Sequence, residues 1–367
     1  MAICSKKKQK IILAVRSWLL GVSNKLITYR QQLTDNIQQL KMIKVGIIGG
    51  AGYTAGELLR LLVHHPQAEI VFVHSKSNTG AYINSVHSDL EGDTNLIFTD
   101  KLALDNIDLL FLCAGHGEAK KFVEETLLPD NLKIIDLSQD FRWGANPNAG
   151  EQGWIYGLTE LNRDKIEHAQ FVANPGCFAT AIQSAILPLA KAGVLTDDVH
   201  VTAITGSTGA GQKPTDTTHF SWRSNNLSVY EAFKHRHLKE IFASIQSLMP
   251  NFNNKIHFVP IRGNFTRGIM ASVYTPALLS ENDLKNIYSE FYKSAPFVHL
   301  ISTSPHLKQV VGSNKIYLNI TKHGDQVHII SIIDNLLKGA SGQAVENMNL
   351  MFGIHQTEGL KLKALAF

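Results

Sequence analysis

Beyond residue 42 the chain alternates short apolar runs with stretches of helical periodicity. Val45-Gly46-Ile47-Ile48 leads into a helical segment over about 55–64. Ile70-Val71-Phe72-Val73, Leu109-Leu110-Phe111-Leu112 and Lys133-Ile134-Ile135-Asp136 follow as further apolar runs. Runs of this kind, separated by helical stretches, predict strands of a parallel sheet buried on both faces. After about residue 198 the texture changes. Segments 200–205, 256–259, 268–274, 315–320 and 327–333 alternate apolar with polar positions, which predicts half-buried strands in a mixed or antiparallel sheet. A second domain is expected there. Residues 144–153, rich in Gly, Asn and Ala, read as a loop across a surface or a site mouth.

Composition narrows the class. The chain has 367 residues, 44% hydrophobic and 18% charged, enough apolar content for two ordinary domains and far from the charged class that stays disordered. No apolar run reaches the roughly 18 residues of a membrane span, so no stable membrane insertion is expected. The net charge of +4 is uneven: residues 1–41 carry eight basic side chains and one acidic, Asp35, whereas the rest holds 27 basic and 30 acidic. The body therefore offers no electrostatic case for nucleic acid. In the leader, Lys6 to Lys10 followed by Ile11 to Val15 imitates the start of a secretory signal, but Arg16 interrupts it and no small-x-small site follows cleanly. Apolar positions 12, 15, 19, 22 and 26 suit one face of a surface helix or a loosely attached arm. The simpler reading is an upstream extension of a body that starts at Met42. Cys4, Cys113 and Cys177 form neither a disulfide framework nor a C-x-x-C pair, so a reducing cytoplasm fits and no metal site is expected.

Gly46, Gly49, Gly52 and Gly56 lie between the first strand and the first helix, with Ala51, Tyr53 and Thr54 among them. Glycine is required where a backbone turns tightly and approaches a pyrophosphate resting on a helix N-terminus, so this segment predicts a dinucleotide site; plain turn chemistry is the alternative. A carboxylate ending the second strand would bind the free ribose hydroxyls of NAD. The chain reads Ser75-Lys76-Ser77 there instead, which favours the 2′-phosphate of NADP(H) over a merely solvated turn.

Asn174-Pro175-Gly176-Cys177 opens an apolar helical run. A cysteine at a helix N-terminus is expected to be biased toward thiolate and to serve as a nucleophile; Cys113, ending an apolar strand, reads as a buried structural thiol. Thiol and nicotinamide together point to acyl transfer through an enzyme thioester, which needs an acid/base. His235 and His237 precede a predicted helix, and Glu240 shares a face with His237 and can orient its imidazole.

Seven motifs carry a family resemblance: Gly-Gly-Ala-Gly-Tyr-Thr-Ala-Gly-Glu (49–57), Ile-Asp-Leu-Ser-Gln-Asp-Phe-Arg (135–142), Tyr-Gly-Leu-Thr-Glu-Leu (156–161), Asn-Pro-Gly-Cys (174–177), Gly-Ser-Thr-Gly-Ala-Gly (206–211), His-Arg-His-x-x-Glu-Ile (235–241) and Asn-Leu-Leu-Lys-Gly-Ala-Ser-Gly-Gln-Ala (335–344). Together they resemble the N-acetyl-gamma-glutamyl-phosphate reductases of arginine biosynthesis, within the aspartate-semialdehyde dehydrogenase-like superfamily. The resemblance implies an α/β chain: a Rossmann-type parallel-sheet NADP domain (42–176 with 334–367) and an α+β substrate and oligomerisation domain with a mixed sheet (177–333). It implies that Cys177 attacks an acyl phosphate, that His237 or His235 is the acid/base, and that the enzyme is a homo-oligomer, dimer or tetramer. It also implies phosphate contact from Ser138 and Arg142, substrate contact from Glu240, carboxylate binding by Arg262 or Arg267, and cofactor contact from Gly206, Gly209, Gly211 and Asn335. Two departures stand out: Phe178-Ala179 after the cysteine, and two Arg-Gly pairs (262–263 and 267–268) where one is usual. The near alternatives are an aspartate-semialdehyde or aminoadipyl-phosphate type reductase; the distant one is an NADP-sensing regulator without activity.

Overall fold

The computed structural model describes residues 42–142 and 153–366, with Val22. The expected leader helix or arm, and the expected loop up to residue 152, lie outside the described residues.

Seven strands, β1 (Ile43–Ile48), β2 (Ala68–His74), β3 (Phe98–Thr99), β4 (Leu109–Leu112), β5 (Lys133–Asp136), β6 (Ile155–Tyr156) and β7 (Phe171–Ala173), form a sheet in the order β3-β2-β1-β4-β5-β7-β6. Every pairing in it is parallel. All four side chains of β4 are buried, as expected for a strand covered on both faces. Helices α1 (Tyr53–Leu62), α2 (Glu118–Glu125) and α3 (Thr159–Glu167) follow strands of this sheet. The strand order reverses between β1 and β4, and the crevice at such a reversal is where α/β sheets bind ligands. The turn after β1 lies at that crevice.

A second sheet holds β8 (Val199–Thr205), β9 (Ser228–Val229), β10 (Ile256–Arg262), β11 (Ile269–Pro276), β12 (Val298–Leu300), β13 (Ile316–His323) and β14 (Gln326–Ile333), in the order β12-β13-β14-β11-β8-β10-β9. It is mixed: β8 pairs parallel with β10 and antiparallel with β11, which pairs antiparallel with β14. Helices α4 (Cys177–Lys191), α5 (His237–Leu248) and α6 (Glu281–Phe291) make up the helical layer, with α4 against β11, β13 and β14 and against both other helices. Every residue of α4 from Phe178 to Ala190 is buried, the mark of a central helix. Pro188 in its last turn has no N–H for the carbonyl of Ser184. Tyr292 Oη donates to that carbonyl at 2.7 Å, so the group is not left unpaired. Helix α7 (Gly342–Met351), after β14, returns to pack on α1 and α3 beside the first sheet.

The periodicity located the longer strands to within two or three residues at their ends. It did not locate β3, β6, β7, β9 and β12, which are two or three residues long and too short to carry a period. Among the described residues, no helix is long and apolar enough to cross a membrane.

Candidate active site

The turn after β1 is built for close approach. Gly49 has φ +81°, and a Cβ there would lie 2.6 Å from the carbonyl oxygen of Cys113. Gly52 precedes α1 without a side-chain cap, and a Cβ on it would meet nothing nearer than the Gly49 oxygen at 3.8 Å. The first turn of α1 thus presents open N–H groups and space, which suits a pyrophosphate. Gly46 does not belong to this turn. It lies inside β1, where a Cβ would come within 2.5 Å of Phe72 and 2.9 Å of Ile107. Packing requires that glycine, and its expected cofactor contact is corrected.

One strand over, the Gly50 N–H donates to the His74 carbonyl at 3.0 Å, tying the turn to the end of β2. Ser75, Lys76 and Ser77 follow directly. Asn78 Nδ2 donates to both serine hydroxyls at 3.0 Å, and Lys76 is exposed. The cluster holds hydroxyls, an amide and a cation, and no carboxylate, in agreement with a 2′-phosphate.

A cleft of about 250 Å³ joins the two sheets' elements; Gly52, Tyr53, Thr54, Cys177, His237, Thr208, Gly209, Gly211, Asn335 and Gly339 line it. Gly209 and Gly211 enter it from the loop after β8, which is fastened by Thr208 Oγ1 donating to the Thr266 carbonyl at 2.6 Å. At Gly206 a Cβ would lie 2.3 Å from that same carbonyl, so glycine permits the crossing. Asn335 Nδ2 donates to Thr208 Oγ1 at 3.0 Å, and its Oδ1 accepts from the Gly268 N–H at 2.7 Å.

Cys177 is the first residue of α4 and partly exposed in the cleft. The expected depression of its pKa is corrected in sign. Burial pushes the thiol up, and the Arg236 charge, the Phe178 N–H and the Arg142 charge offset this only in part. His237 lines the cleft and His235 does not. Burial, and then the Arg142 charge, hold His237 well below the ordinary imidazole value, so it is neutral near pH 7. Burial pushes His235 down to about 4. Its Nδ1 accepts the His237 N–H at 3.2 Å, and Phe178 packs edge-on against both rings at 5.4 and 6.3 Å. The departure at 178 thus bears on the histidines.

Behind these groups lies a buried network centred on Glu240. Its carboxylate accepts from Tyr156 Oη at 2.7 Å, the Gly176 N–H at 3.0 Å and Arg142 Nη1 at 3.3 Å, and lies 3.7 Å from His237 Nε2. It lies behind the cleft wall, holding the Gly176 turn and standing beside His237, so its expected substrate contact is corrected. Ser138 is also buried; its hydroxyl donates to Asp136 at 2.8 Å and accepts the Asp140 N–H at 3.0 Å. It shapes the 136–142 turn and does not reach the cleft. Arg142 does line the cleft, while its Nε donates to the Asn174 carbonyl at 2.8 Å.

The two Arg-Gly pairs separate. Arg267 forks onto Asp334 at 3.0 and 3.1 Å and also pairs with Glu57 of α1. That guanidinium is committed, and carboxylate binding by Arg267 is corrected. Arg262 lies 4.5 Å over the Tyr230 ring, and its buried Nε has no hydrogen-bond partner among the described residues. Sequence reasoning passed over Arg236, His116 and Gly339, all of which line the cleft, although 236 and 339 stand inside quoted motifs.

Two family models match in sequence. Residues 44–169 match the NAD binding domain of semialdehyde dehydrogenases, and residues 177–335 match their dimerisation domain. The N-acetyl-gamma-glutamyl-phosphate reductase of Parabacteroides distasonis is 54% identical over 326 residues, 89% of this chain and 100% of that protein. The chain belongs to the N-acetyl-gamma-glutamyl-phosphate reductase family. A second relative in that family, from Bacteroides thetaiotaomicron, is 55% identical over the same shares of both chains. Among solved structures, aspartate semialdehyde dehydrogenase II of Vibrio cholerae superposes with a TM-score of 0.66 at 14% identity, over 85% of this chain and 98% of that one. The Candida albicans aspartate semialdehyde dehydrogenase with NADP gives a TM-score of 0.62 at 13% identity, over 85% and 98%. At these identities the likeness is one of fold.

Proposed function

We propose that this chain reduces an N-acyl-gamma-glutamyl phosphate to the N-acyl-glutamate 5-semialdehyde, with release of phosphate, in arginine biosynthesis. The observation that carries the reading is that Cys177, His237 and the N-terminus of α1 share one cleft.

The neutral imidazole of His237 takes the proton of Cys177 as its sulfur attacks the acyl carbon. The bond from that carbon to the phosphate oxygen breaks, phosphate leaves with the electron pair, and a thioester remains on Cys177. Arg142 and Arg236 are the cleft cations that face the phosphoryl group, and Arg262 takes a substrate carboxylate. Gly49, Ala51, Gly52, Tyr53 and Thr54 hold the cofactor pyrophosphate, Ser75, Lys76 and Ser77 its 2′-phosphate, and Gly209, Gly211 and Asn335 bound the nicotinamide side. When bound, NADPH supplies the hydride that reduces the thioester. His237 then returns its proton to the sulfur as the semialdehyde leaves, with Glu240 keeping the ring oriented throughout.

Residues 42–176 with 334–367 act as the NADP-binding unit, and 177–333 as the catalytic and oligomerisation unit of a cytoplasmic homo-oligomer. The outer positions of the mixed sheet support the last point. His200, Thr202, Ser272, Tyr274 and His328 alternate with buried residues yet stay half-buried or exposed, a face that a second copy can cover.

The deciding assay is phosphate-dependent reduction of NADP by N-acetyl-glutamate semialdehyde, run beside the N-succinyl compound, aspartate semialdehyde and NAD. NADP reduction strictly dependent on phosphate and on an N-acyl-glutamate semialdehyde is expected. Preference for aspartate semialdehyde, or for NAD, overturns the reading.

A further inference from the structure

Away from the cleft the molecule buries a cluster of three charges. Lys338 is wholly buried, with Nζ 2.6 Å from Glu160 Oε1 and 2.6 Å from Glu346 Oε2. Glu346 also accepts from Thr159 Oγ1 and Asn314 Nδ2, each at 3.0 Å, and from Gln356 Nε2 at 2.6 Å. A buried ion cluster contributes little net stability, because desolvation offsets its attraction, but it imposes geometry. The geometry here is unusual. Lys338 lies in a π-helical turn, Leu337–Ser341, closed by Gly339 N–H to the Asp334 carbonyl at 2.9 Å and Ser341 N–H to the Leu336 carbonyl at 2.8 Å. Such turns are rare and recur at functional sites.

From this turn, contacts run to both halves of the cleft. A Cβ on Gly339 would lie 2.9 Å from Cys177 Cβ, so the backbone of the turn rests against the nucleophile. The Ala340 carbonyl accepts from Asn174 Nδ2 at 3.0 Å, bracing the Asn-Pro-Gly-Cys segment. Ser341 Oγ donates at 2.7 Å to the carbonyl of Thr54, in the first turn of α1. One five-residue turn therefore touches Cys177 on one side and the first turn of α1 on the other.

We propose that Lys338 is a positioning residue: clamped between Glu160 and Glu346, it locks the 337–341 turn and so sets the separation between Cys177 and the cofactor-binding turn at Gly52–Thr54. This rests on the reading of those two elements given under Proposed function. Hydride transfer needs both elements in register. Reaction of the Cys177 thiol alone, and binding of NADP alone, each need only one.

The test uses Lys338→Met combined with Glu160→Gln and Glu346→Gln, which replaces the ammonium and both carboxylates, all of them buried, by neutral groups of similar size. Three quantities are read on the full chain: alkylation of Cys177 by iodoacetamide with and without NADP, NADP affinity by titration, and phosphate-dependent NADP reduction. The expected result is alkylation and NADP affinity within 3-fold of wild type, loss of the change in alkylation rate that NADP causes in wild type, and kcat down at least 100-fold with KM little altered. A kcat within 3-fold of wild type overturns the proposal, as does a parallel fall in alkylation, affinity and turnover, which marks a cluster that only supports the fold. If the triple variant does not fold, Ser341→Ala keeps the triad and cuts the tie to Thr54; a fall in kcat of about tenfold with unaltered alkylation is expected, and unaltered kcat overturns the proposal. Wild type without phosphate-dependent NADP reduction, by contrast, sinks the functional reading itself.

Discussion

At the scale of single residues, the Cys177 thiol is set by competing fields. Burial at the start of α4 raises the Cys177 thiol, and the Arg236 charge is the largest group opposing it, ahead of the Phe178 N–H. Alkylation of Cys177 therefore rises with pH through a midpoint above the ordinary thiol value, and Arg236→Met moves that midpoint further up; an unmoved midpoint in the pH profile would show that Arg236 does not act on the thiol. Cys113 stays unreactive in the same experiment, because burial pushes it to about 12. Cys177→Ser keeps fold and NADP binding and abolishes turnover, by about a thousandfold or more, since a hydroxyl holds its proton far more tightly than even a raised thiol and the neutral imidazole cannot take it as readily. Retained turnover in the phosphate-dependent assay would contradict the thioester route. Residue types and order singled out Cys177, His237 and Arg142, and the fold brings all three to one cleft. The state of the thiol was not legible, because it depends on which charges and how much protein surround the sulfur.

At the scale of elements, the site is a set of turns pressed against one another. Gly176 has φ −74° and ψ 149°, which alanine also adopts. What forbids a side chain is contact, since a Cβ there would lie 2.3 Å from His237 Nε2 and 2.7 Å from Glu240 Oε1. Gly176→Ala displaces the imidazole, lowering kcat by about a hundredfold and stability by about 1–3 kcal/mol, as read from kinetics and urea unfolding. A drop in stability without a drop in kcat would mean the imidazole tolerates the shift. Arg267 joins α1 to the segment after β14 through Glu57 and Asp334. Arg267→Met removes that tie and costs about 3 kcal/mol with KM for the semialdehyde unchanged, whereas a raised KM at full stability would return Arg267 to the substrate. The second Arg-Gly pair illustrates the limit of reading elements from sequence. Both arginines are equally plausible ligands until the fold brings Asp334 and Glu57 to one of them.

At the scale of the whole molecule, burying neutral histidines makes stability depend on pH. Unfolded His235 binds a proton at about 6.5, whereas in the fold burial pushes it down to about 4. The unfolded chain thus binds more protons between those values, and this contribution is complete above about 6.5 and is lost as pH falls toward 4. Asp136, raised to about 6 by burial, acts in the opposite sense over part of the same window. The comparison that isolates the histidine is therefore wild type against His235→Asn, which keeps an acceptor for the His237 N–H. Between pH 7 and 5 the variant loses less stability than wild type by about 2 kcal/mol in urea unfolding; equal losses would mean His235 is protonated in the fold.

The sequence by itself determined the two-sheet architecture and the family, and it singled out the glycine turn and Cys177, because these rest on periodicity, on glycine where the backbone must turn, and on local order of residue types. Only the tertiary structure decided which polar groups are spent holding the site together and which face the cleft. Ser138, Glu240 and Arg267 carry the right chemistry for substrate. Each is consumed by a partner distant in the chain or in a turn of its own: Ser138 by Asp136, Glu240 by Tyr156 and Arg142, Arg267 by Asp334 and Glu57. Such pairings are set by how sheets and helices pack, across separations that no local pattern records. The same holds for Gly46, a glycine of the motif that packing against Phe72 requires.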